Sequence, residues 1–347
     1  MTETPSARWS FKLLRAASFR LDAGSMFGLI PRVVWSKVVQ TDDKGRFTLQ
    51  HNCLYLERVG PTGGDGPRRV LIEAGTGDKL DAKMRDIFSL ETDAATGRPR
   101  TIVTALAEIG VSPESIDAAV VSHLHFDHAG GLTRLPRPGE TPEFPFTPAT
   151  DGGGGSGQAG GCCLTFPNAA VYAQAREWAD ARANRSVMTR TYYPDHLLPI
   201  ESKLRLVDSP RAFPIGSTPG RDDLPPMPAA LRETELWPGG GVSVFLVPGH
   251  TWGQQAVKFT EPGPEHGGRG RTIVFTPDVM PTVHHVGAAY SLGYDVEPYT
   301  SMISRHWLLA EAAAGDWVLC LDHEPGHPLV RVREDGRGWF KLVPEPV

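Results

Sequence analysis

Short apolar runs closed by glycine, proline or histidine recur along the chain. Arg69 to Ile72 runs into Glu73-Ala74-Gly75-Thr76-Gly77, and Ala118 to Val121 into Ser122-His123. Gly241 to Val247 runs into Pro248-Gly249-His250, Thr272 to Thr276 into Pro277-Asp278, and Asp316 to Leu321 into Asp322-His323. Apolar runs of this length bounded by turn residues read as buried strands. Residues 1–60 read as two or more strands joined by a glycine-containing loop, with Phe47–Gln50 and Cys53–Leu56 as consecutive strand pieces. Within that loop, Asp22 to Leu29, Met26 and Phe27 look exposed and suit either a substrate cleft or simple packing. Leu329–Val332 and Trp339–Val343 read as a closing strand pair. Helical spacing predicts helices over Lys79–Leu90, Thr101–Ile109, Ala169–Ala183, with Tyr172 and Trp178 on its packed face, and Pro298–Ala314.

Between these elements the composition shifts twice. Residues 134–161 are rich in proline and then in glycine, through Gly152-Gly153-Gly154-Gly155-Ser156-Gly157. Such a stretch cannot form a core element and is expected to be an inserted flexible loop, a lid near the site or a disordered segment. Residues 208–238 are again proline-rich. A chain of 347 residues, 40% hydrophobic and 22% charged, is long enough to bury a large core. One domain over 1–347 is expected, because candidate site residues lie on both sides of the insertion. The net charge of −5 and the lack of a long basic run argue against nucleic acid as a partner. No apolar stretch is long enough to span a bilayer, and Met1 to Arg20 has no signal-type apolar block. A cytoplasmic protein is expected, as a homodimer if base rates decide. The four cysteines, Cys53, Cys162, Cys163 and Cys320, form no CxxC pair and no disulfide framework, and Cys320 belongs to an apolar run.

Chemistry concentrates at Ser122-His123-Leu124-His125-Phe126-Asp127-His128-Ala129-Gly130-Gly131. In an extended chain alternate side chains share a face, so His123 and His125 point one way and Asp127 has the same parity. The small residues Ala129, Gly130 and Gly131 allow a sharp turn and the opening of a helix, which swings His128 back toward the others. Two neighbouring ligand sets result, His123 with His125 and Asp127 with His128. Imidazole and carboxylate suit zinc, manganese or iron better than calcium or magnesium. Glu73, a carboxylate closing an apolar run, is expected either to orient a ligand histidine or to sit in solvent. Three later strand ends each deliver one more candidate, His250, Asp278 and His323.

In order and rough spacing these motifs resemble the metallo-β-lactamase superfamily. The resemblance spans about residues 48–325. It implies an α/β fold, a four-layer αββα sandwich with a dinuclear site at one edge. One metal is then held by His123, His125 and His250, the other by Asp127, His128 and His323, with Asp278 bridging. Zinc is the expected metal, with manganese, iron or cobalt as alternatives. Exported β-lactamases often use a cysteine ligand, glyoxalase II-like members carry a C-terminal thioester-binding region, and RNA-processing members carry a basic exosite. The chain shows none of these. The wording of the first motif is most similar to quorum-quenching lactonases and methyl-parathion-hydrolase-like phosphotriesterases. Lactonases place a tyrosine three residues after the bridging aspartate, where this chain has Pro281. His284, His285, Tyr290 or Tyr294 is expected to supply that donor.

The chemistry implied is hydrolysis of a small ester or lactone by a hydroxide shared between two cations, with Asp127 and Asp278 as catalytic carboxylates and Asp127 moving the proton. An organophosphate triester hydrolase and a non-enzymatic binding protein on the same fold are the alternatives. Met26, Phe27, Phe126, Trp252, His284, His285, Tyr290 and Tyr294 are expected around a small-molecule substrate.

Overall fold

A computed structural model describes residues 7–60, 66–144, 160–183, 191–211, 232–263, 270–287 and 289–346. The strands are β1 (Arg8–Asp22), β2 (Arg46–Val59), β3 (Arg69–Ile72), β4 (Ala118–Val120), a ribbon of β5 (Thr133–Arg134) and β6 (Cys163–Leu164), β7 (Ala170–Gln174), β8 (Leu204–Val207), β9 (Thr234–Glu235), β10 (Val242–Leu246), β11 (Gln255–Thr260), β12 (Thr272–Thr276), β13 (Val318–Leu321), β14 (Leu329–Glu334) and β15 (Phe340–Pro344). One sheet has the order β1-β2-β3-β4-β7-β8, and the other β15-β14-β13-β12-β11-β10-β9. The helices are α1 (Ala23–Phe27), α2 (Arg32–Trp35), α3 (Ala82–Phe88), α4 (Ile102–Glu108), α5 (Phe126–Ala129), α6 (Ala175–Ala183), α7 (Pro194–Leu197) and α8 (Pro298–Ala314).

Strand periodicity builds the layers. On β3, Val70 and Ile72 face the second sheet, where they join Val244, Phe259, Phe275 and Val318 in one core. Leu71, between them, faces the other way and packs with Ile102 and Leu106 of α4. On β12, Ile273 and Phe275 point between the sheets, whereas Val274 meets Leu308 and Leu309 of α8. Both faces of these strands are covered, which is why they read as continuous apolar runs. Helices outside and two sheets inside form the αββα sandwich. Cys320 lies in the core between the sheets, and all four cysteines are free and buried. Among the described residues, no helix is long and apolar enough to cross a membrane.

Several expectations are corrected. Phe47–Gln50 and Cys53–Leu56 are one strand, paired along its length with β1. Ala169–Ala183 is not a single helix. Its first half is β7, running parallel to β4, with Val171 and Ala173 buried in the core beside α4, and only Ala175–Ala183 is helical. The sheet supplies partners on both sides of β7, and this overrides the helix preference of an alanine-rich segment. Asp22–Leu29 is not open loop but leads into the single turn α1, capped by Asp22 accepting from Ser25 N. Met26 and Phe27 are buried. Most of the 134–161 insertion lies outside the described residues; its two ends meet in the β5–β6 ribbon.

Candidate metal centre

All seven predicted ligands lie at one edge of the sandwich, where the strand ends of the two sheets meet. The loop after β4 and helix α5 bring His123, His125, Asp127 and His128. The ends of β10, β12 and β13 bring His250, Asp278 and His323. Each of the seven is buried. The helix in the first motif opens at Phe126, earlier than expected, and its glycines have a different role from turning. A Cβ on Gly130 would lie 2.2 Å from Thr76 O, and one on Gly131 would lie 2.1 Å from Ala74 O. Only glycine lets α5 sit this close to the loop after β3. The buried ammonium of Lys79 closes the far end, donating to Gly130 O (2.6 Å) and Thr133 O (2.8 Å). Burial brings its pKa down to about 8.

Two groups of donor atoms converge. His123 Nε2 lies 3.1 Å from His125 Nδ1, and His250 Nε2 lies 3.0 Å from the same atom. Asp278 Oδ2 is 3.0 Å from His250 Nε2 and 3.6 Å from His128 Nε2, and Asp278 Oδ1 is 3.2 Å from His323 Nε2. Asp278 thus stands between a set of His123, His125 and His250 and a set of His128 and His323. Within each of the sets His123-His125-His250-Asp278 and His128-Asp278-Asp322-His323, the ligand atoms lie within 4.8 Å of one another. Asp127 Oδ2 approaches the second set, 3.8 Å from His128 Nε2 and 3.7 Å from His323 Nε2.

The outer nitrogens fix how the rings point. His323 Nδ1 donates to the Gln50 carbonyl at 3.1 Å, and a carbonyl can only accept. His128 Nδ1 faces Glu73 Oε2 at 3.2 Å and His250 Nδ1 faces Asp295 Oδ1 at 3.0 Å. In the neutral ring each Nε2 then turns its lone pair toward the centre, the arrangement in which a carboxylate or carbonyl orients a metal-binding imidazole. Glu73 is the orienting residue rather than a solvated one. It is held at φ 67°, and its other oxygen accepts from Ser122 N at 2.6 Å. The Nε2 atoms of His128 and His323, Asp278 Oδ1 and both carboxylate oxygens of Asp322 are buried without a hydrogen-bond partner. Buried polar atoms are seldom left so. These donors fit divalent cations in chemistry and position.

The charges sort accordingly. Burial and neighbouring imidazoles hold His123 and His125 well below the usual histidine range. Burial also disfavours charge on His250, but Asp278 and Asp295 carry it up to about 10. Against the same burial, Asp322 and Asp278 raise His323 to about 9. Burial, with Asp278 and Glu73 nearby, pushes Asp322 well above the carboxylate range.

Beside the centre opens a cavity of about 130 Å³, lined by Leu21, Met26, Phe88, Phe126, Leu292, Thr191, Tyr294 and the candidate ligands His125, Asp127, His250, Asp278 and His323. Of the expected pocket residues, Met26, Phe126 and Tyr294 reach it and Phe27, Trp252, His284, His285 and Tyr290 do not. Phe27 is stacked at 5.1 Å on His285. His285 is locked, with Nε2 on Met26 O and Nδ1 on Thr282 Oγ1, both at 2.8 Å. His284 and Tyr290 sit edge-on to Phe27, and Trp252 lies under the Arg176 guanidinium. Burial raises the Tyr294 phenol above its usual value, with Asp22, Asp127 and Asp278 adding to the rise.

Four polar residues with a part in the centre had no signal of their own in the sequence. Asp295 orients His250, Gln50 orients His323 through its carbonyl, and Asp322 adjoins the second set. Glu177, fully buried on α6, accepts from Leu124 N and Tyr192 Oη, both at 2.9 Å, and from Thr251 Oγ1 at 2.6 Å. It joins the loop carrying His123 and His125 to the loop carrying His250. For Asp322, adjacency to His323 was the one available hint.

Residues 46–156 match the model of the metallo-β-lactamase superfamily. No curated protein matches the chain by sequence. Among solved structures, a probable metal-dependent hydrolase from Staphylococcus aureus superposes with a TM-score of 0.67 at 20% identity, over 99% of this chain and 100% of that one. AidC, a dizinc quorum-quenching lactonase in complex with a product, gives 0.62 at 15% identity, over 99% and 97%. The hydrolase AbOPH of the β-lactamase superfamily gives 0.60 at 15% identity, over 100% and 99%. Sequence motif, donor geometry and sandwich agree with the match over residues 46–156: the chain has a fold of the metallo-β-lactamase type.

Proposed function

We propose that the protein is a dinuclear-metal-dependent hydrolase of small, neutral esters or lactones. The observation that carries this reading is the placement of two convergent imidazole–carboxylate sets on the floor of a small apolar cavity. Bound there, a pair of divalent cations, zinc foremost, supplies Lewis acidity and a nucleophile at neutral pH. The protein's own groups do the rest. Leu21, Met26, Phe88, Phe126 and Leu292 give the cavity its apolar wall, and among the described residues no lysine or arginine lines it, which favours an uncharged substrate. Its volume is near that of cavities of about 150 Å³ that take up benzene, which suits a short acyl chain or one ring in the part of the substrate that enters it. Tyr294 keeps its proton and can donate a hydrogen bond to an oxygen that gains charge, the part expected of the missing lactonase tyrosine. Asp127, at the cavity wall, can receive a proton and return it to a leaving alkoxide.

The structural likeness to AidC, itself a quorum-quenching lactonase, supports the lactone form of the reading. Metal-loaded protein assayed on lactones, aryl esters and a paraoxon-type triester tests it. Hydrolysis of lactones or esters, reduced to the metal-free level by His123→Ala, is expected. Fewer than one metal per chain, or full activity in His123→Ala, would overturn it. Faster turnover of the triester would select the phosphotriesterase alternative.

A further inference from the structure

Asp322 is 1% exposed, and neither of its carboxylate oxygens has a hydrogen-bond partner. An acid buried in this way needs either its proton or a cation. Its surroundings choose between them. Asp322 Oδ2 lies 3.7 Å from His323 Nε2, too far for a hydrogen bond. A ligand atom of Asp322 lies within 4.8 Å of those of His128, Asp278 and His323, and the Nε2 atoms of those two histidines and Asp278 Oδ1 are likewise without hydrogen bonds. The ligand atoms of four buried groups thus crowd together, and the nearest pairing among them is Asp278 Oδ1 with His323 Nε2 at 3.2 Å. Asp127, by contrast, lines the cavity.

We propose that Asp322 is a direct ligand of the second cation, completing a set of His128, Asp278 and His323 from the side away from the cavity. This rests on the dinuclear reading above. The two sites then differ in kind. The first is rich in nitrogen, with three imidazoles and one carboxylate. The second has two imidazoles and, with Asp127, three carboxylates, a harder donor set that favours manganese or iron more than the first does.

Asp322→Asn separates the alternatives, because asparagine has the shape of a protonated aspartic acid. If the carboxyl is merely held neutral, the variant binds metal like the parent protein. If it is a ligand, chelator-competition titration shows two equivalents bound by the parent protein. In the variant the first equivalent is retained and the second is weakened about a hundredfold or more, beyond what loss of an orienting residue causes. Melting of the metal-free variant within a few degrees of the metal-free parent excludes misfolding as the cause. A crystal of the parent protein loaded with manganese or zinc gives the same answer without substitution. The expected result is an Asp322 oxygen about 2.0–2.2 Å from the second ion. Two ions present with Asp322 remote from both, or a second affinity in Asp322→Asn within threefold of the parent, would overturn the inference alone. A parent protein that binds no metal would overturn the dinuclear reading as well.

Discussion

At the cavity wall, Tyr294 is the only one of the four expected proton donors that reaches the space beside Asp127 and Asp278. Tyr294→Phe removes the hydroxyl and leaves the ring, so binding of an apolar substrate should persist while kcat/KM falls by about 10²–10³, the effect of losing one oxyanion donor. Steady-state kinetics on the best lactone or ester of the panel check this. Glu177 acts at a greater distance. It accepts three hydrogen bonds from two ligand loops and from Tyr192, whose ring packs 4.9 Å from His125. In Glu177→Gln one acceptor oxygen becomes a donor, so the bond from Thr251 must reverse or those from Leu124 N and Tyr192 must break, and the charge that strengthened all three is gone. Metal affinity of the His123-His125-His250 set should fall about 10–100-fold, measured by competition with a chromogenic chelator. The seven candidate ligands were legible as a group in the sequence because a metal accepts few residue types and each sat at the end of an apolar run. Asp295, Glu177 and Asp322 were not. A carboxylate acquires its role from burial against segments far away in the chain, and neither its identity nor its spacing encodes that.

Among the elements, the single turn α5 shows how packing gives meaning to a motif. Gly130 and Gly131, which follow it, read as turn formers, yet they are small because neighbouring backbone carbonyls leave no room for a methyl group. Gly131→Ala would place that methyl 2.1 Å from Ala74 O. It should cost about 1–3 kcal/mol, as overpacking does, seen as a lower melting temperature of the metal-free protein. It should also weaken metal binding through displacement of His128. The helices over Ile102–Glu108 and Pro298–Ala314 were legible from spacing, because each lays one apolar face on a sheet. Strand β7 was not. Ala170 to Gln174 and Ala175 to Ala183 form one alanine-rich stretch, and only the neighbouring β4 and β8 tell the first part to extend.

For the whole molecule, the centre makes stability depend on pH and metal together. In metal-free protein His250 and His323 hold their protons up to about 10 and about 9, against about 6.5 when unfolded. The sign follows directly. Folded-state pKa values above the unfolded ones stabilise below pH 6.5, and that stabilisation drains away as pH rises toward 9 and 10. Between pH 6.5 and 8, before Lys79 titrates in the opposite sense, the metal-free protein should lose about 1.4 kcal/mol per pH unit for each proton retained. Metal-loaded protein should show the reverse slope, because binding requires neutral imidazoles. Melting curves with and without chelator check the crossing. The αββα plan was legible only through the family's motifs, since no local pattern states which sheet a strand will join.

Asp278 and His323 come from one sheet, while His128 and its partner Glu73 come from the other. A cation seated between them is therefore a rivet through the seam of the sandwich. With the rivet drawn, that edge keeps only its direct contacts, among them the hydrogen bonds of Gln50 and Asn52 on β2 to His323 and Asp322. Amide hydrogens of β4 and β12 should then exchange faster together than those of the far strands β1 and β15.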